Sequence, residues 1–263
     1  METTLYYFSG TGNSLAMAKA LAEKISNCRL EPMVRCLQNG QLKAETEKVG
    51  FVFPLYFLGL PLIVEEFISR IDLSKAEYIF FVETRGGNWS PEYVTERIEK
   101  LLKEKGKTLS GGFKIVMPNN YIKKGYTLDP QQEVKEKFEK AKIKITRVSE
   151  CIIAGRKSIE RDTFGTVWLS KWMNQDWQKK VHGRDQDFFV EDSCISCGIC
   201  KDVCPVDNII IREGRPQWQH HCQECLACYH FCPKASIRCD GKSKRKGQYH
   251  HPDISIKEIE AQK

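Results

Sequence analysis

Apolar residues along the first 118 positions fall into short dense runs, separated by stretches with helical spacing. Thr3–Phe8, Arg29–Arg35, Lys48–Phe53, Tyr78–Glu83 and Phe113–Met117 read as strands. Val49-Gly-Phe-Val-Phe53 and Tyr78-Ile-Phe-Phe-Val82 show no polar alternation, the pattern of strands covered on both faces. Between them, Asn13–Ile25 puts Leu15, Ala18, Leu21 (or Ala22) and Ile25 on one helical face. Leu62–Ile71 begins after Pro61, a residue suited to a helix start. Glu92–Lys105 follows Ser90-Pro91, a cap and a proline. Residues 130–150 form a charged helix with Val134, Phe138, Ala141 and Ile145 on one side. Five strands with intervening helices predict an α/β domain over residues 1–154, a doubly wound five-stranded parallel sheet.

Residues 155–190 break this rhythm. Trp168, Trp172 and either Phe164 or Trp177 are spaced for one helix face. They predict a helical connector packed on one domain; a stripe guiding electrons or a substrate is the alternative. From 191 to 240 the pattern becomes a repeat. Cys194-Ile-Ser-Cys-Gly-Ile-Cys-Lys-Asp-Val-Cys204-Pro returns 28 positions later as Cys222-Gln-Glu-Cys-Leu-Ala-Cys-Tyr-His-Phe-Cys232-Pro. Val203 aligns with Phe231, and Ile209 with Ile237. Each copy is too short for a core of its own, so the two should pack as a pseudo-symmetric pair. Residues 241–263 read as a basic tail with Lys242-Ser-Lys-Arg-Lys246 and Tyr249-His-His-Pro252.

Cysteine placement changes the picture most. Eight of twelve cysteines lie between Cys194 and Cys232. No apolar run reaches the ~18 residues of a membrane helix. Met1 leads almost directly into a strand-like run, with no basic-then-apolar leader, so the expected address is the cytoplasm. There, such a density points to metal rather than disulfides. C-x2-C-x2-C-x3-C-P is the bacterial ferredoxin spacing, in which three cysteines wrap a 4Fe–4S cubane and the fourth serves the neighbouring cluster. One cluster then takes Cys194, Cys197, Cys200 and Cys232; the other takes Cys222, Cys225, Cys228 and Cys204. Zinc prefers two close pairs across a longer loop. Cys28, Cys36, Cys151 and Cys239 read as small buried residues.

Ser9-Gly-Thr-Gly-Asn-Ser14 lies between the first strand and the first helix, where unpaired N–H groups and the helix dipole favour an anion. Gly10 and Gly12 admit close backbone approach, and Ser9, Thr11, Asn13 and Ser14 add side-chain donors. The loop lacks the lysine of a nucleoside-triphosphate loop and the glycine spacing of a dinucleotide fingerprint. It suits a monophosphate dianion such as that of FMN; a plain turn is the alternative.

At these residues the chain resembles flavodoxins, whose first loop reads Ser/Thr-x-Thr-Gly-x-Ser/Thr. The resemblance implies two more flavin-binding loops at the carboxyl edge of the sheet. The first carries Pro54, Tyr56, Phe57, Leu58 and Gly59; the second carries Thr84, Arg85, Gly86, Gly87, Asn88 and Trp89. Tyr56 or Phe57, and Trp89, suit stacking on a flat ring, with core packing as the alternative. Asn119, Asn120 and Tyr121 either border the flavin or make a turn. A flavodoxin followed by a small α+β two-cluster ferredoxin domain resembles a family of fusion proteins of anaerobes. Met117-Pro-Asn-Asn-Tyr121 and Tyr249-His-His-Pro252 look like that family's recurring segments. The resemblance implies FMN, two 4Fe–4S clusters, and electron transfer with a redox partner protein as donor or acceptor. The alternative is a flavin-dependent reductase of a small molecule, with Arg85, His182 or His220-His221 supplying charge or a proton. The formal charge of +7 falls to roughly +1 with two clusters and one FMN, so it does not call for a nucleic-acid partner. Lys242–Lys246 then reads as a solvated tail or a dock for an acidic redox partner.

Overall fold

A computed structural model describes residues 1–87, 93–123, 125–161, 167–239 and 247–263. Asn88, Trp89, the Ser90-Pro91 cap, Phe164 and Lys242–Lys246 lie outside the described residues.

The first half alternates β1 (Thr3–Tyr7), α1 (Asn13–Lys24), β2 (Cys28–Pro32), α2 (Met33–Asn39), β3 (Lys48–Pro54), α3 (Leu62–Arg70), β4 (Tyr78–Arg85), α4 (Val94–Glu104), β5 (Gly111–Val116), α5 (Gln131–Ile153) and β6 (Ser158–Ile159). The strands form one sheet in the order β2-β1-β3-β4-β5-β6, every pairing parallel. The order 2-1-3-4-5 is that of flavodoxin-like doubly wound sheets, which bind ligands outside the strands' carboxyl ends at the β1/β3 switch point. Leu15, Ala18 and Leu21 of α1 and Ala141, Ile145 and Val148 of α5 cover one face. Phe67 of α3, Ile98 of α4 and Met33 of α2 cover the other.

Two details differ from the sequence reading. The sheet has six strands rather than five: Ser158–Ile159 adds to the edge of β5 opposite Gly111–Gly112. Arg29–Arg35 is not one strand. The chain leaves the sheet at Pro32 and winds into α2, which buries Met33, Val34 and Cys36 and ends at Gly40 in the left-handed region.

The second half begins with α6 (Val167–Lys180) and a 3₁₀ turn over Val181–Asp187. There follow β7 (Phe189–Val190), α7 (Ile199–Asp202), β8 (Ile209–Arg212), β9 (Arg215–Trp218), α8 (Ala227–His230) and β10 (Ile237–Arg238). β7 pairs with β10 and β8 with β9, both antiparallel. The repeat reaches the backbone itself. Left-handed φ angles recur at matched positions, Ser196 with Glu224, Gly198 with Leu226, and Asp207 with Ala235. Val203, Ala227 and Phe231 pack into the core beneath α1 and α5. In return, Ile122 from the loop after β5 enters the core of the cysteine-rich domain. The two halves therefore share apolar cores.

The connector does not pack through its tryptophan stripe. Trp168 and Trp172 are 71% and 64% exposed, whereas Val167, Ser170, Asn174 and Trp177 are buried. Nor does it pack on one domain alone. Asn174 Nδ2 donates to the carbonyls of Tyr56 (3.3 Å) and Phe57 (3.1 Å), and Trp177 Nε1 donates to Glu224 Oε2 (2.8 Å).

Residues 247–263, read as tail, form a strap across both halves. Gln248 Nε2 donates to the carbonyls of Tyr229 and Cys232, and Tyr249 Oη donates to Asn13 Oδ1 (2.6 Å). Ser255 and Glu258 form a reciprocal capping box that starts α9 (Ile256–Glu260). Lys19 Nζ reaches Glu258 Oε1 (2.7 Å). Gln262 then clasps Ser9: its Oε1 accepts the Ser9 amide (2.9 Å), and its Nε2 donates to the Ser9 carbonyl (3.0 Å). Gln262→Ala leaves these two buried backbone groups without partners, a cost of about 1–3 kcal/mol. Differential scanning calorimetry should show the transition lowered by several degrees, and an unchanged transition would deny the clasp any weight.

Candidate functional site

The structure brings the twice-repeated cysteines together as two sets of four. Cys194, Cys197, Cys200 and Cys232 line one cavity, with Ile195, Ile211 and Ile237 beside them. Cys204, Cys222, Cys225 and Cys228 line a second, with Phe188, Val206 and Leu226. In each, the cysteine before the proline comes from the opposite repeat. Each cavity is lined by four cysteines, the donor set that a 4Fe–4S cubane takes. Backbone amides point at the sulfurs: Asn208 N to Cys204 Sγ and Ser236 N to Cys232 Sγ, both 3.3 Å and matched in the repeat. Glu224 N adds a third, to Cys222 Sγ (3.2 Å). Burial pushes the Cys200 thiol up to about 12 and raises Cys204, Cys222 and Cys228. These thiols stay neutral unless a metal takes their protons' place.

A crevice opens at the carboxyl ends of β1, β3 and β4. Ser9, Gly10, Thr11, Asn13 and Ser14 line it from the first loop, Pro54 and Tyr56 from the second, and Thr84, Arg85 and Gly86 from the third. Asn119, Asn120 and Tyr121 complete the wall. Ser14 Oγ and Thr84 Oγ1 are 2.8 Å apart, Asn13 Nδ2 donates to Pro118 O (3.0 Å), and Asn120 Nδ2 donates to Thr11 Oγ1 (2.6 Å). The cavity measures about 80 Å³, the scale of a phosphate rather than of a whole nucleotide. Its chemistry fits a phosphate. Among the described residues, the amides of Gly10, Thr11, Asn13 and Ser14 meet no backbone acceptor. Tyr56 and Tyr121 both line the crevice, and the hydroxyl of each is buried with no partner among the described residues. Burial raises the Tyr56 phenol well above its ordinary value, and nearby Cys225, Cys222 and Glu224 add to the effect.

Five of the described residues expected at the flavin do not line this phosphate-sized crevice. Gly12, at φ +99°, faces the strap; a Cβ there would sit 2.9 Å from His251 Cβ and 3.0 Å from Ile254 Cβ. Phe57 stacks on Trp177, with ring centres 6.1 Å apart. Phe57 and Leu58 both have positive φ in the turn closed by Tyr56 and Gly59. The amide of Tyr93 donates to Leu58 O (2.8 Å), and Gly59 abuts the Asn174 amide group. Gly87 is half-buried and does not line the crevice. Arg85 is committed to Glu83 (2.5 Å) in the interior. His182 Nδ1 contacts Cys222 O and His220 Nδ1 contacts Asp185 Oδ1, while His221 Nδ1 contacts Gln219 O; none lines the crevice.

The crevice and the second cysteine cavity adjoin. A Cβ on Gly10 would lie 2.8 Å from Cys225 O, 3.1 Å from Cys225 Cβ and 2.8 Å from Tyr56 Oη. Sequence reasoning singled out Tyr249-His-His-Pro252 only as a recurring segment within a tail, and missed Gln262 and the strap's contacts with the first loop. The readable signal was the Ser255-x-x-Glu258 capping box among Ile254, Ile256 and Ile259.

Residues 188–210 match the 4Fe-4S binding domain family. A ferredoxin-like protein in the nif region of Trichormus variabilis is 31% identical over 67 residues, covering 24% of this chain and 58% of the relative. The Trichormus azollae protein of that description matches to the same extent, so the chain spans 58% of the length of both relatives. Two-electron reduced Megasphaera elsdenii flavodoxin covers 54% of this chain and 98% of its own, at 19% identity and TM-score 0.34. The rubredoxin oxygen:oxidoreductase of Desulfovibrio gigas covers 58% and 37%, at 16% identity and TM-score 0.34. At those scores the fold rests on the strand order rather than on the likeness. The chain joins a flavodoxin-like α/β domain to a 4Fe–4S ferredoxin domain. No described helix is long and apolar enough to cross a membrane.

Proposed function

We propose that the chain is an electron-transfer protein holding one FMN and two 4Fe–4S clusters. Cys194, Cys197, Cys200 and Cys232 hold one cluster; Cys222, Cys225, Cys228 and Cys204 hold the other. The Ser9–Ser14 loop receives the FMN phosphate, and Tyr56, Thr84 and Gly86 flank the nucleotide. When bound, the clusters exchange single electrons and the flavin one or two, which joins the two kinds of traffic. The chain's own residues supply position and environment. Glycine at position 10 lets the anion loop and the second cysteine loop touch, and amide donors to Cys204, Cys222 and Cys232 stabilise thiolate charge. The contact of Gly10 with Cys225 carries this reading, because it puts the two candidate redox sites against each other. An external redox protein is the donor or acceptor, and a reducing compartment such as the cytoplasm suits the free cysteines. Of the residues named for the reductase alternative, Arg85 lines the crevice but is tied to Glu83, and His182, His220 and His221 do not line it.

Anaerobically purified protein should contain about eight irons, as two cubanes require, and one FMN. Its visible absorption should bleach with dithionite in both the iron–sulfur and the flavin bands. Zinc in place of iron, or a flavin-free protein, would overturn the reading.

A further inference from the structure

The two cysteine cavities are built on the same backbone, yet one matched position carries different chemistry in each. Ser196 and Glu224 hold equivalent places in the repeat, with φ of 56° and 52°. Ser196 is exposed, and its hydroxyl donates to Gly214 O. Glu224 is buried. Its Oε1 lies 3.1 Å from Lys123 Nζ and 3.3 Å from Arg184 Nη1, and its Oε2 accepts from Trp177 Nε1 at 2.8 Å.

Lys123 comes from the α/β domain, in the loop after β5, and is itself buried. Its ammonium also donates to Arg184 O (3.3 Å) and stands 5.1 Å from the centre of the Phe188 ring. Phe188 lines the second cavity. The exposed carboxylate of Asp187 lies 3.9 Å from Lys123, and the buried Asp185 carboxylate, held by Asn208 and His220, also acts on Cys222. Two cations therefore face one buried carboxylate beside Cys222. At the first cavity, among the described residues, the flanking ion pairs are Arg238–Glu191 and Arg215–Asp192, which are more exposed.

We infer that Lys123 and Glu224 set the reduction potential of the cluster held by Cys222, Cys225, Cys228 and Cys204 apart from that of its twin. The inference rests on the two-cluster reading above. Adding an electron makes a site more negative, so a buried cation nearby eases reduction and a buried carboxylate opposes it. The low dielectric of the interior keeps both effects large. The two residues act in opposite directions, and one of them belongs to the other domain. Docking of the α/β domain thereby tunes the cluster site it covers. Neither side chain is a cluster ligand; both act through the field they impose.

The test is a redox titration of the anaerobic full-length protein, followed by electron paramagnetic resonance, which resolves the two clusters. Glu224→Gln should raise one midpoint and Lys123→Gln should lower the same one. Each should change the one-electron equilibrium constant at least tenfold, or 59 mV. The other cluster should hold its midpoint and serve as internal reference. Lys123→Arg, which keeps the charge, should stay with the wild type. A purely structural role would move neither midpoint, or move both variants the same way, and either result overturns the inference. Should Lys123→Gln fail to take up iron, the nearly isosteric Glu224→Gln decides alone: a raised midpoint supports the inference and an unmoved one overturns it. Wild-type protein without two titrating clusters would sink the underlying reading; two clusters with unmoved midpoints sink this inference only.

Discussion

Removing iron from the anaerobic protein is expected to unfold residues 188–239 while the parallel sheet survives. The reason lies in what fills the smaller core. Of the ten residues packed there, four are Cys200, Cys204, Cys228 and Cys239, and another is Ile122, lent by the α/β domain. Units of about 50 residues seldom hold together on apolar burial alone and need a metal or cross-links. On the proposed ligand sets each cluster would staple one repeat to the other, so losing both would free the two repeats. Hydrogen exchange read by mass spectrometry should show protection in 188–239 falling by orders of magnitude. Protection in β1, β3 and β4 should persist, because their cores are filled by Phe51, Phe80, Phe81 and their neighbours. Unchanged exchange over 188–239 after iron removal would mean the clusters are passengers in a preformed fold.

Gly10→Ala is expected to weaken FMN binding by pressing the anion loop against the second cysteine loop. The added carbon would overlap the carbonyl oxygen of Cys225, the Tyr56 hydroxyl and Cys225 Cβ. Main chain cannot swing aside as a long side chain can, so either the anion loop or the second cysteine loop must retreat. Overpacking of this kind costs about 1–3 kcal/mol. The functional loss should be larger, since both loops line the proposed cofactor sites. FMN affinity, followed by quenching of flavin fluorescence, should fall at least tenfold, about 1.4 kcal/mol. Ala at Gly183, whose added carbon would meet only Gln186 Nε2 at 3.6 Å, is the control for a glycine change that adds no overlap. Equal flavin affinity in the Gly10 and Gly183 variants would remove the contact from the mechanism.

The sheet was legible because its central strands are buried on both faces, so Val49–Phe53 and Tyr78–Val82 carry no competing polar rhythm. The cysteine sets were legible because the ligand spacing is itself the chemistry. Failures came where tertiary contacts override local pattern. β6 is two residues long, and no period exists in two residues. Met33-Val-Arg-Cys-Leu looks extended to a strand template, yet Met33, Val34 and Cys36 all turn inward on a helix. Trp168 and Trp172 were the loudest apolar signals in the connector, but a polar residue, Asn174, secures that helix by serving the strained Phe57–Leu58 turn. The crevice was half legible. The first loop announces itself, whereas the distinction between Tyr56 and Phe57 depends on Trp177, which is more than a hundred positions away.

The clasp between Ser9 and Gln262 joins residues 253 positions apart. Domains usually mature in the order the ribosome makes them. Here the amino-terminal loop waits for a strap translated after both cysteine repeats, and Gly12 is left unbacked until His251 and Ile254 arrive. A nascent chain stalled before residue 247 would carry a finished sheet with an unfinished anion pocket.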